Sequence, residues 1–369
     1  MQLKPRRSTA HAVSLLVAFS CAGCGDAGDS EATAGTELRS SSAALDAVPT
    51  VHAHLFALSG TFDVPDLLLS GDFDADQRPD LLGRHGTGVR TGFVEANGLI
   101  TPVDWPSPSL HDDALTGDFD GDGRSDFFQT GTIQQGSGTF VSFEFGRSRG
   151  RDSFALSVTL GDPLPFWQRF AAHGNMASGD FDGLGHDQIA FATMPDDGSI
   201  YTLTRADNDW VYGYHELNGD VASWNSMLNR SKTLAADFDG DGVDDMALFP
   251  KLPNLSVVPI AYSNRTGTFT VGALPRAQFP VWRLPSSLLA GDFDHNGSAD
   301  IASVNGAGDG SVGVALSKRD RTGFTSARLT IDDPTLVQNA KQVFTARSQG
   351  LDYIGLVAQS GAVYALVRD

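Results

Sequence analysis

The sequence predicts an all-β fold, a β-propeller of six blades with seven as the alternative, carrying calcium-binding hairpin loops. Three observations predict it. An aspartate-rich loop recurs along the chain, short apolar stretches flank every copy, and 41 Gly and 17 Pro in 369 residues mark many turns. Hydrophobic residues make up 41% of the chain, enough for a sizeable core.

Taken in order, the chain opens with the basic Lys4, Arg6 and Arg7 and the apolar run Ala12 to Ser20, too short to span a bilayer. This is the arrangement of an export signal, residues 1–23. Cys24, preceded by Ala22 and Gly23, resembles the lipobox cysteine of bacterial lipoproteins, which the resemblance implies is acylated and becomes the mature N-terminus. Cys21 stands where that motif usually has Leu and is the rival site, and a plain secretory cut nearby is the other reading. Cys21 and Cys24 are the two cysteines, both ahead of the folded domain, so that domain holds no structural disulfide and needs another staple or a large core.

Residues 24–47 are small and polar without hydrophobic periodicity, the composition of a flexible tether. The propeller is assigned to residues 48–369. The expected location is the cell envelope or cell surface through a lipid anchor, or secretion if the lipobox reading fails. The formal net charge is −19, and removal of the leader takes away only basic residues. Such a charge excludes nucleic acid and anionic membrane surfaces as partners and leaves the anchor as the membrane contact. A monomer is expected.

The repeat begins with SGDFDADQRPDLL (from Ser70) and returns as TGDFDGDGRSDFF (from Thr116), SGDFDGLGHDQIA (from Ser178), AADFDGDGVDDMAL (from Ala235) and AGDFDHNGSADIA (from Ala290). The first aspartates, Asp72, Asp118, Asp180, Asp237 and Asp292, are spaced 46 to 62 residues apart. A worn sixth copy, from Gln349, places Asp352 opposite Asp300. Apolar stretches before and after each loop, then Gly-bounded runs with alternating apolar residues, fit three or four strands per repeat and no helix. Radial repetition of such units is a propeller rather than a helical solenoid. Two strands remain after Asp352, whereas the segment before the first loop supplies HAHLFAL and GTFDV. The N-terminal strand therefore completes the last blade and protects its edge.

Numbered from the first aspartate, side-chain oxygens recur at positions 1, 3, 5 and 9: Asp72, Asp74, Asp76, Asp80; Asp118, Asp120, Asp122, Asp126; Asp180, Asp182; Asp237, Asp239, Asp241, Asp245; Asp292, Asp294, Asn296, Asp300. Calcium takes six to eight oxygen ligands, and a tight turn can deliver several carboxylates to one point; magnesium asks for stricter octahedral geometry. Gly123, Gly185, Gly242 and Gly297 at position 6 supply a left-handed residue. Position 12 is never the bidentate Glu of an EF-hand and the flanks read as strands. The second and fourth loops are complete and are expected to bind best. In the first, Gln77 replaces Gly; in the fifth, Asn296 removes one charge. In the third, Leu184 and Gln188 replace ligands and Asp187 is shifted by one, so it is expected weak or empty.

GDFDGDGRSD and its four relatives resemble the FG-GAP or VCBS repeat family, calcium-loop propellers that include the integrin α-subunit head. The resemblance spans about residues 50–369. It implies a propeller with calcium in the loops between the first and second strands, on one face; the literal Phe-Gly and Gly-Ala-Pro element is missing, which favours the VCBS side.

Trp105, Trp167 and Trp224 lie 13 residues before the next first aspartate and Trp282 lies 10 before. They are placed towards the face opposite the loops, either as stacking surfaces for a glycan or protein partner or as packing between blades. The functional expectation is a calcium-stabilised, envelope-tethered propeller that binds a glycan or an extracellular protein, in adhesion or as a scaffold. The alternative is a carbohydrate-active enzyme such as a polysaccharide lyase, with His215 beside Tyr214 as acid and base. No nucleophile elbow or HExxH motif accompanies that pair.

Overall fold

Alternating apolar residues between Gly-rich turns build the strands. The computed structural model describes residues 50–368 except 63–66, 107–108, 136–137, 161–174, 193–198, 207–208, 229, 252–255, 266, 281–286 and 349–350. The strands form four-stranded antiparallel units, each a simple meander. The first is β2 (Leu68–Gly71), β3 (Asp80–His85), β4 (Gly88–Val94) and β5 (Ile100–Trp105). The second is β6 (Leu115–Gly117), β7 (Asp126–Gln135), β8 (Gly138–Ser148) and β9 (Phe154–Leu160).

The third comprises β10 (Met176–Gly179), β11 (Gln188–Ala192), β12 (Ser199–Ala206) and β13 (Asp209–Gly219). After helix α1 (Val221–Met227) comes the fourth, β14 (Ser231–Ala236) to β17 (Thr268–Pro275) through β15 (Asp245–Pro250) and β16 (Val257–Ser263). The fifth is β18 (Leu288–Gly291), β19 (Asp300–Val304), β20 (Val312–Ser317) and β21 (Phe324–Ile331). Helix α2 (Pro334–Gln338) leads to β22 (Ala340–Ser348), β23 (Leu351–Ala358) and β24 (Ala362–Arg368).

The last unit borrows its outer strand from the start of the chain. β1 (Thr50–Thr61) pairs antiparallel with β24, from Ala53 opposite Arg368 to Thr61 opposite Ala362. It also runs parallel to β21, which joins the fifth and last units into one eight-stranded sheet. β13 and β17 join the third and fourth units in the same way.

First strands pack in cyclic order: β2 on β6, β6 on β10, β10 on β14, β14 on β18, β18 on β22, and β22 back on β2. This cyclic order is that of a β-propeller. Hydroxyl groups stitch part of the circle. Ser70 donates to the Thr345 carbonyl (2.6 Å), Thr116 to Ser70 (2.8 Å), Ser178 to Thr116 (2.7 Å) and Thr345 to Ala290 (2.9 Å). Ala235 and Ala290 bring no hydroxyl, and there the Lys232 ammonium donates to the Leu288 carbonyl instead (2.9 Å).

The core lies in the seams between successive units. One cluster joins Phe119, Phe128 and Phe145 to Ile189 and Leu203, and another joins Phe238 and Ile260 to Ile301 and Phe324. The phenylalanine after each first aspartate is the seam's anchor: Phe73, Phe119, Phe181, Phe238 and Phe293 are all buried. Phe73 meets Phe154, Phe119 meets Trp210, Phe181 meets Phe269 and Phe238 meets Phe324, each edge to face. Burying one such ring contributes about 2–3 kcal/mol.

Candidate metal centres

Every acidic loop closes the end of a first strand, so all five lie on one face. Their shape comes from the backbone. The position-1 carboxylate accepts the amides of positions 5 and 6 in each copy: for Asp118, Asp122 N at 3.0 Å and Gly123 N at 2.9 Å; for Asp180, Leu184 N at 3.0 Å and Gly185 N at 2.8 Å. Asp72, Asp237 and Asp292 do the same. Position 6 is left-handed as expected, and so is position 4: Gly121, Gly183 and Gly240 have φ of 71°, 71° and 73°. Ala75 and Gln77 in the first loop and His295 in the fifth adopt φ of 59–64° without being glycine, a strain of about 1–2 kcal/mol each.

Position 9 is buried. Asp80, Asp126, Asp245 and Asp300 are fully inaccessible, and each accepts a third-strand amide, from Val94, Ser148, Ser263 and Ser317 at 2.7–2.9 Å. Asp80, Asp245 and Asp300 also accept the position-2 amide at 3.0 Å. Burial, with neighbouring carboxylates adding to it, pushes Asp80, Asp126 and Asp300 up to about 8 and Asp245 well above the usual carboxylate range.

Carboxylate oxygens converge in four loops. Asp72, Asp74 and Asp80; Asp118, Asp120 and Asp122; Asp237, Asp239 and Asp245; and Asp292, Asp294 and Asp300 each offer oxygens within 4.8 Å of one another. Among the described residues Asp180 and Asp182 belong to no such group. Two like charges 4 Å apart repel by about 4 kcal/mol at an effective dielectric of about 20, so the clusters favour a cation. Asp74 Oδ1, Asp120 Oδ1 and Asp126 Oδ2 are buried without a hydrogen-bond partner among the described residues, which is the donor set a hard cation takes.

Arginines hold the outer oxygens. Arg147 Nε lies 2.5 Å from Asp120 Oδ2 and its Nη2 3.1 Å from Asp122 Oδ2. Arg151, on the second unit, reaches back to Asp74 at 2.7 Å and Glu95 at 2.5 Å. Arg321, on the fifth unit, pairs with Asp239 of the fourth. No local pattern in the sequence marks these arginines, because their partners lie up to 82 residues away.

Position 8 proves to be a bridge between units. Asp187 is not a displaced ligand: its Oδ2 accepts Asp118 N at 2.8 Å, while its own amide donates to the Asp118 carbonyl at 2.8 Å. Asp244 repeats both bonds on Asp180, at 2.9 Å each. Ser125 does so on Asp72, at 2.9 and 2.7 Å. Asp352 accepts Asp292 N at 2.8 Å, so it matches Asp244 and not Asp300. Tyr353, paired with Ala346 as Asp300 is with Gly291, holds position 9 of the worn copy. The sequence alignment was off by one residue there.

This bridge explains the Gly before four of the five first aspartates. A Cβ on Gly117 or Gly179 would lie 2.5 or 2.6 Å from Asp187 or Asp244 Oδ2. The fourth copy carries Ala236 at that place and Ala299 at position 8, small against small.

The tryptophans divide. Trp105 ends β5 opposite the loops, as expected, but is half-buried, its indole donating to Thr91 Oγ1 (3.1 Å) and its ring edge-on to Phe154. Trp224 sits on α1 with no exposed surface, deep in the seam between the third and fourth units, so it packs and offers no face to a ligand. Trp167, Trp282 and Cys24 lie outside the described residues. Tyr214 and His215 point to opposite sides of β13: Tyr214 is half-exposed against Tyr201, while His215 Nε2 meets Thr202 Oγ1 (2.7 Å) beside Phe269. They form no acid–base pair.

No family model and no curated protein matches the chain. Among solved structures it is similar to an Agrocybe aegerita lectin, described as specifically recognising non-reducing terminal N-acetylglucosamine: 19% identity, TM-score 0.48, covering 79% of this chain and 74% of that one. The WD40 domain of Toxoplasma gondii coronin is similar at 10% identity and TM-score 0.42, covering 87% of each chain. The N-terminal domain of Nup159 follows at 8% and 0.34, covering 88% and 92%. These likenesses are loose, and the fold description rests on the strand pairings above.

Proposed function

We propose that the chain is a six-bladed, calcium-stabilised propeller of the FG-GAP/VCBS type, tethered to the cell envelope through Cys24, that binds a glycan or protein partner. The six blades are the six meanders, the last closed by β1. The observation that carries calcium is the convergence of three carboxylates within 4.8 Å in four loops, the first two of which also hold buried oxygens with no donor among the described residues. Calcium bound there neutralises the clusters, and because the ligands converge only in the folded chain, its binding free energy stabilises the fold.

Position 9 joins the metal ligands to the third strand and position 8 joins each loop to the next blade, so the loops staple a domain that has no cysteine of its own. The partner is placed on the face away from the loops, since on the loop face the carboxylates and arginines are occupied with one another. Calorimetric titration of chelator-treated protein with calcium tests the metal, with about four sites expected from the four clusters. A glycan array screened with and without calcium tests the partner. Calcium heat indistinguishable from buffer dilution removes the metal from this reading.

A further inference from the structure

A cavity lies on the face opposite the acidic loops. Its volume is about 740 Å³, within the range of small-molecule sites. Strand direction fixes its place. Leu68, Lys232, Leu289 and Val343 line it, and each stands near the start of β2, β14, β18 or β22, first strands that pack in a circle, of which the first three named end at acidic loops. The cavity is therefore the mouth of the space between the first strands.

The lining reverses the sign of the molecule. The chain carries a net charge of −19, yet two of its five lysines, Lys232 and Lys341, reach this cavity. The acidic group beside them, Asp112, is paired with Arg84 at 2.5 Å. The remaining polar lining includes amide side chains, Asn305 and Gln342 among them, on walls of Leu and Val. Apolar walls with a few convergent polar groups are the composition of a ligand site.

Lys232 is the deepest charge. Its ammonium donates to the Leu288 carbonyl at 2.9 Å, and an ammonium has two further protons to give. Burial alone pushes the amine down to about 8, so the charged form is held at a disadvantage that an anion in the cavity would relieve.

We propose that this mouth binds an organic anion of sugar size, a carboxylate carried on a hydroxylated body such as a uronic acid, with Lys232 and Lys341 on the carboxylate and Gln342 on a hydroxyl group. The proposal rests on the glycan-binding reading for the ligand's body and is independent of the metal. Calcium sits at the far ends of the same strands, so calcium loading does not supply the site.

The test is calorimetry of the full soluble domain with glucuronate, glucose and acetate, each in calcium and in EGTA, below the melting point of the chelated protein. Glucuronate is expected to bind in both media, glucose and acetate at least about tenfold more weakly, with affinity falling as salt rises. Lys232→Met, which keeps the stem, is expected to weaken glucuronate about tenfold or more, and Lys341→Gln several-fold. Arg328→Gln, which breaks an exposed pair with Asp309, is expected to leave binding unchanged. If Lys232→Met fails to fold, Lys341→Gln and the salt dependence of the wild type decide. Glucuronate binding that ignores salt and both lysines overturns the proposal, as does acetate binding as tightly as glucuronate. A calcium titration that fails while glucuronate still binds would overturn the metal reading alone.

Discussion

The loops at Asp118 and Asp180 share one backbone and differ in charge. Both wrap a position-1 carboxylate around the amides of positions 5 and 6, and both place glycines at φ near 71° and 84°. In the first, positions 3, 5 and 9 are Asp120, Asp122 and Asp126; in the second they are Asp182, Leu184 and Gln188. Gln188 Oε1 accepts Phe181 N at 2.7 Å, the bond that Asp80, Asp245 and Asp300 make with a carboxylate. Position 9 thus does two separable jobs, organising the loop and contributing charge. The third loop keeps the former and drops the latter, and Leu184, 72% exposed, takes a place where a ligand would stand. The turn is built by backbone hydrogen bonds that need no metal, whereas in the proposed reading a cation offsets the repulsion among the carboxylates.

The largest expected effect comes from the metal itself. Calcium is expected to raise the melting temperature of chelated protein by about 10 °C, from several sites each adding about 2–3 kcal/mol at saturation. An unchanged melt in differential scanning calorimetry would erase the distinction between the loops.

Next, Asp239→Ala is expected to remove about 2–3 kcal/mol of calcium-dependent stability and Asp182→Ala less than about 0.5. Equal losses in denaturant melts would break the comparison.

Asp187→Ala is expected to cost about 1–3 kcal/mol with or without calcium, because it leaves the part-buried Asp118 amide unmet. A loss seen only in calcium would return Asp187 to the ligands.

The smallest and sharpest case is Asp126→Asn, which puts an uncharged amide at position 9 as Gln188 does in the third loop. Folding raises the Asp126 pKa to about 8 from an unfolded value near 3.8, so in EGTA the unfolded chain releases the proton first. Metal-free stability therefore falls as pH rises from about 4 to about 8, and Asn is expected to flatten that slope while weakening calcium at the second loop. A slope in EGTA identical to wild type would show that Asp126 does not carry it.

Much of this was legible in the sequence because a repeat repeats its contacts. GDFD marks a loop, the apolar runs beside it mark strands, and the count of strands left after Asp352 implied that HAHLFAL closes the last unit, as the β1–β24 register shows. In four loops three of the residues singled out by spacing bring carboxylate oxygens together, while Asp76, Asp126, Asp241 and Asn296 stand outside those groups. Asp187 and Asp352 were misread because a ligand and an inter-unit bridge use the same residue type one position apart. The partner of the bridge, the Asp118 or Asp292 amide, is 69 or 60 residues distant. Trp224 shares its spacing with Trp105, yet α1 turns it into a seam.

By itself, the sequence determined what is local: turns that need glycine, strands that alternate, carboxylates at every second position of a loop. Tertiary structure decided what depends on the next unit in the circle. The arginine on Asp239 comes from the following unit, Gly117, Gly179 and Gly291 are small because an aspartate from the following unit lies against each, and two lysines of an acidic chain meet in one cavity. Local order follows from backbone sterics and hydrogen bonding over a few residues, whereas these contacts exist only after first strands distant in sequence have packed around a common centre.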